Sequence, residues 1–439
     1  MILRSWAENL LQTAGTPDAI MLHLMDTLAA FLAGAATGDG QALSTLYGRR
    51  GDAGEIAAGA AAIARASECD DIHLASCVTP GAVVIPVALT LAENRSEDDF
   101  ARAVAAGYAA GLSLGIGIGG AKALGAGVWP TLLAAPLMAA VTASCLAGHD
   151  AERLGHAMAL ALAGASGRLG RPAGTPSGRW FSLAEAVLKG IRASAAAGDG
   201  FRGDLSLISE PWLVPHAGHA NVDMAVFESP ASAPSIGDVG YKPFPIARQG
   251  ANAIAALQRA LSNGVDPRRI DGIEIFVPAI HTALLNRPVQ ANDRLSRLSN
   301  MAYQCACAAL APDMLYDVER RQQPDIPLMD FARRVSVVPS KDMDAHLPGR
   351  WAARVAIATG NGRVEETVIA APFDHDTPRI GKLLDEKWRR LLPAQDAADF
   401  FTLATAGASA EERAILWKMI EGHVSMTASP GRKPEPGEG

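Results

Sequence analysis

The sequence predicts a mainly α protein, a large all-helical domain joined to a smaller α+β domain. Three observations predict this. At 439 residues the chain exceeds what one simple core organises, so two domains are the starting expectation. Hydrophobic residues make up 49% while aromatics reach only 5%, which favours close helix packing through small side chains over aromatic-rich sheet sandwiches. Apolar spacing is helical through the first half and turns to a period of two beyond Gly237.

The elements follow in order. Thr16-Pro17-Asp18 is a helix start, with a capping hydroxyl, a proline suited to the first turn and an acid at the positive dipole end. The run Ile20 to Leu32 is apolar on most faces, with Gly34 as its expected stop. Ser96-Glu97-Asp98-Asp99 reads as a capping box before Phe100, Val104 and Tyr108, and Asp150 as a cap for the run His156 to Ala165. Ile273, Ile275 and Val277 alternate with Glu274 and Phe276 as in a strand. Trp351 to Thr359 and Arg363 to Ala370 flank Gly360-Asn361-Gly362, a hairpin signal, with helices at Met301 to Leu310 and Ile380 to Leu391. The divisions read are 1–236 all-helical, 237–396 α+β, 397–429 helices packing back on the first domain through Phe400, Leu416 and Ile420, and 430–439 a disordered tail.

A net charge of -7 without blocks of like charge supplies no basic stripe for nucleic acid. The five cysteines form no CxxC pair, so the thiols read as reduced and structural, with no zinc site. The opening MILRSWAENLL lacks a signal-peptide pattern, and the most apolar stretch, Leu132 to Gly148, is interrupted by Pro136, Thr142 and Ser144. That stretch reads as a buried helix, which predicts a soluble, cytoplasmic protein without membrane contact. The partial GxGxxG at Gly115–Gly120 lacks a preceding strand and is expected to form a loop leading towards Trp129. His216 and His219 are expected in a loop without metal-ligand partners.

Three stretches carry a resemblance. ECDDIHLASCVTPGAVVIPVALTLAE (68–93) has an acidic cluster before a turn and a helix; RWFSLAEAVLKGIRASAAAGDGFRGD (179–204) is a helix ending in a Gly-Phe turn; GYKPFPIARQ (240–249) is a Lys-Pro-aromatic-Pro segment. In order and spacing they resemble the MmgE/PrpD family, whose members include 2-methylcitrate dehydratase, cis-aconitate decarboxylase and iminodisuccinate epimerase. The resemblance spans roughly residues 1–400. It implies a homodimer using neither metal nor organic cofactor, with a site in the cleft between helical domain and α+β lid.

Such reactions break a bond beside a carboxylate, so they need a base, an acid and cations to hold the substrate. The resemblance implies Lys242 as base or charge stabiliser, with Asp71, more than Asp70, as its partner and His73 nearby. Glu68 keeps a carboxylate on a longer arm. Arg179 stands at the helix-start lysine as a substrate clamp whose planar fork suits a carboxylate, and Ser182 stands where a histidine is expected. Thr79 replaces the histidine of a His-Pro-Gly turn and cannot carry a proton near neutrality. Trp129 stands near where relatives often have histidine, and its bulk is expected either to narrow the pocket or to fill the core; Arg248 and Tyr303 are second-rank candidates for anion binding and proton donation.

The expected function is a lyase or isomerase without a cofactor, abstracting a proton next to a carboxylate of a small organic acid. Two alternatives stand beside it. One is an inactive relative serving as a binding or scaffolding dimer; the other is a member recruited to cyclisation or double-bond isomerisation in a specialised pathway.

Overall fold

The computed structural model describes residues 2–49, 51–92, 95–169, 177–228, 234–290, 293–320, 326–371, 373–374, 379–404 and 409–426. The fold is mainly α, with one four-stranded mixed sheet. The tail expected at 430–439 lies outside the described residues.

Helix starts follow the caps. Ser96 accepts from the Asp99 amide to open helix Glu97–Gly117, and Asp150 accepts from the Arg153 amide to open Ala151–Leu162. Helix Pro130–Ala147 closes at Gly148, which takes the left-handed conformation. That helix packs between Glu97–Gly117 and Gly178–Gly198, and its Leu133, Leu137 and Met138 are fully buried. Each such side chain contributes about 1.5–3 kcal/mol by leaving water. Helices Glu97–Gly117 and Pro130–Ala147 are long and apolar enough to cross a membrane, yet 89% of the residues in the most apolar 18-residue stretch of each are buried against the rest of the chain.

Two glycine-marked sites differ in detail from the expectation. The helix expected to stop at Gly34 runs Pro17–Ala35, ending one residue later. A Cβ on Gly34 would sit 2.0 Å from the Ile63 carbonyl oxygen, so this glycine allows two helices to touch. Gly115–Gly120 is not a loop throughout, since Gly115–Gly117 complete the helix begun at Glu97.

The sheet comprises β1 (Ile270–Val277), β2 (Val335–Pro339), β3 (Ala353–Thr359) and β4 (Gly362–Val368), in the order β2-β1-β3-β4. β1 pairs parallel with β2 and antiparallel with β3, and β3 turns into β4 at Gly360-Asn361. Ile270, Ile273, Ile275 and Val277 of β1 are buried in a second apolar cluster, with helix residues Ile254, Leu257 and Tyr303. β2 carries no alternating pattern and is absent from the sequence reading. Helix Ile380–Leu391 sends Ile380, Leu384 and Trp388 into the first, larger cluster, where Phe400, Leu416 and Ile420 also pack. Its Lys387 forms a buried ion pair at 2.6 Å with Asp26 and donates to the Cys69 carbonyl. These bonds tie this late helix to helix Pro17–Ala35 and to Cys69, which stands between Glu68 and Asp70.

Candidate functional site

A cleft of about 840 Å³, counting its open mouth, is lined by Arg65, Arg179, Lys242, Arg248 and Arg287. Glu68 is the one carboxylate among the described lining residues; Thr79, Trp129, Gln249 and Ser299 add polar or aromatic wall.

A backbone contact brings Lys242 to its acids. Ile72 and Gly240 exchange hydrogen bonds at 2.8 and 3.0 Å as an antiparallel bridge. That isolated bridge holds the segments carrying Asp70 and Lys242 side by side. Lys242 Nζ donates to Asp70 Oδ1 at 3.1 Å and Glu68 Oε2 at 3.2 Å.

Asp71, expected as the lysine's partner, instead accepts from the Gly81 amide at 2.9 Å and the Tyr108 hydroxyl at 2.7 Å, with His23 Nδ1 at 2.9 Å. It fixes the turn that starts helix Gly81–Leu91, behind the cleft wall.

Glu68 follows the end of helix Ala53–Ala66 with φ of 57°, the left-handed conformation that usually calls for glycine. A non-glycine residue there costs on the order of 1–3 kcal/mol. Its side chain offsets that strain through Arg65 at 2.8 Å and Lys242 at 3.2 Å. Burial pushes the Glu68 carboxyl upward, but Arg65 and Lys242 overcome it and hold the group well below the ordinary carboxylate range. Asp70 moves the other way. Burial raises it, against the pull of Arg65 and Lys242 and with repulsion from Glu68 and Asp71. Its Oδ2 is buried without a hydrogen-bond partner among the described residues.

Most cleft cations are matched by an acid. Arg65 pairs with Glu68 and Asp70, Arg248 with Asp374, and Arg287 with Asp293 at 3.1 Å. Arg179 has no carboxylate partner among the described residues. Its guanidinium lies 5.3 Å from the Trp129 ring centre and 5.5 Å from that of Trp180. Burial lowers its pKa while Glu68 opposes. A half-buried guanidinium held against aromatics with no ion-paired carboxylate among the described residues has donors free to face an anion.

Other expected residues fall outside this arrangement. His73 sits in a local turn, with Nδ1 2.9 Å from Ser76 Oγ, and does not line the cleft. Tyr303 is buried in the second apolar cluster, its phenol raised by burial, and also does not line the cleft. Thr79 lines it, but its hydroxyl lies 3.2 Å from that of Thr131, which also accepts from the Thr79 amide. His216 lies in helix Glu210–Ala217, not a loop, stacked on Trp212 at 4.0 Å. Among the described residues no group of three His, Cys, Asp or Glu side chains converges as a metal site.

Sequence reasoning missed Arg65, Arg287 and Gln249. Arg65 did leave a signal: it is the lone cation of helix Ala53–Ala66, which otherwise consists of alanine, glycine and isoleucine with one first-turn glutamate. A charge in so buried a helix needs partners.

No curated protein matches the chain. Family models do: the MmgE/PrpD N-terminal domain matches residues 18–218 and the MmgE/PrpD C-terminal domain residues 244–399. With both halves of the family pattern present in order, the chain belongs to the MmgE/PrpD family.

Proposed function

We propose that this protein is a lyase or isomerase that holds a carboxylic acid in the Arg179 cleft and removes a proton from the carbon beside the carboxylate. Family membership supports dehydratase-like or lyase-like activity. In this reading the α+β segment acts as a lid over a helical domain. Arg179 takes the carboxylate, its charge the least compensated in the cleft. Lys242 Nζ passes a proton to Asp70 Oδ1, and the neutral amine then takes the substrate proton. The electron pair left on carbon is delocalised into the carboxylate, whose added charge Arg179 stabilises. Glu68 stays ionised between Arg65 and Lys242 and keeps the lysine aimed.

The observation that carries this reading is the raised, half-unpartnered Asp70 against Lys242, a proton acceptor beside a proton carrier. A second reading, binding without turnover, is favoured by one feature: no histidine is among the described lining residues, and the Thr79 hydroxyl is already engaged. Incubating the purified protein with di- and tricarboxylic acids, including 2-methylcitrate, cis-aconitate and iminodisuccinate, separates the two by NMR of the products. Conversion of any member supports the enzyme. Tight binding across the panel with no conversion supports the second reading.

A further inference from the structure

The cleft does not end at Arg179. A second cavity of about 990 Å³, counting its mouth, shares Leu124, Trp129, Arg179, Gln249, Leu284 and Arg287 with the first. Beyond those shared residues its wall is mostly apolar, from Val128, Leu169, Ile280 and Ala283. His281 completes it as an uncharged surface. Burial lowers that imidazole to about 4, and both ring nitrogens are buried without partners among the described residues. The two guanidiniums thus stand at the junction of a charged compartment and an apolar one.

We infer that the substrate is an amphipathic acid, with its carboxylate on Arg179 and an alkyl or aryl extension of several carbons in the annex beside Trp129 and Ile280. This rests on the anion-binding reading above and narrows it. The apolar walls give a compact di- or tricarboxylate nothing to bind, whereas an extension would displace water from them.

Titration calorimetry on the full chain with succinate, 2-butylsuccinate and 2-hexylsuccinate tests it. Affinity should rise about threefold to fourfold per methylene up to the butyl member. Ala283→Trp, which fills the annex from an exposed helix position, should remove most of that gain and leave succinate within about twofold. Ile280→Asn, which makes the same wall polar without adding charge, should do likewise and guards against a folding defect in the first variant. A flat series, or a gain surviving both variants, overturns the inference while Arg179-dependent succinate binding leaves the anion cleft standing. If no member binds, or if Arg179→Gln changes nothing, the underlying reading falls and the inference with it.

Discussion

Lys242 Nζ and Asp70 Oδ1 lie 3.1 Å apart although 172 positions separate them in the chain. The antiparallel contact at Ile72 and Gly240 brings the two segments together, and the buried lysine bridges two carboxylates, Asp70 and Glu68.

Lys242→Met should therefore cost twice. Turnover should vanish, and stability should fall by about 3–5 kcal/mol because two buried carboxylates lose a cation. Urea unfolding and a turnover assay check this. Adding Asp70→Asn should recover part of the stability and none of the activity.

Arg179→Gln should weaken acid binding by about tenfold to a hundredfold, the worth of a charge-assisted hydrogen bond, with little change in unfolding midpoint. Arg179→Lys should recover only part of the affinity, since the charge returns without the fork. Calorimetry reads both.

Asp71→Ala should behave differently. It strips acceptors from the Gly81 amide and the Tyr108 hydroxyl, so stability should drop by about 2–4 kcal/mol. A correctly folded remnant should bind acids nearly as the parent does.

The pH dependence has opposed parts. Glu68 is held below its ordinary value of 4.5, so its stabilisation is present above that pH and fades as acid protonates it. Asp70 is raised above its ordinary 3.8, so its contribution is full below that pH and lost as pH rises through the folded value. His281, lowered from 6.5 to about 4, is neutral in the fold while the unfolded chain takes a proton. Stability from that group, about 3 kcal/mol, is complete above 6.5 and disappears as pH falls towards 4. His281→Phe should flatten the stability profile across that window, as measured by urea unfolding at stepped pH.

Much of this architecture was legible locally. Ser96 and Asp150 cap where their side chains can reach an amide three residues on, and Gly360-Asn361 turns a hairpin for reasons internal to the tetrapeptide. Lys242 and Arg179 were recognisable from motif position. What escaped depends on distant chain. Asp70 rather than Asp71 meets a lysine 172 positions away, and Gly34 is a contact with Ile63, invisible until two helices meet. β2, with burial that does not alternate, acquires its identity from parallel pairing with β1.

The most direct test is hydrogen–deuterium exchange followed by NMR, with a bound carboxylic acid in heavy water. The parent protein should wash deuterium into the carbon beside the carboxylate, even without net product, and Lys242→Met should not. Exchange that persists at the parent rate in Lys242→Met would contradict the account.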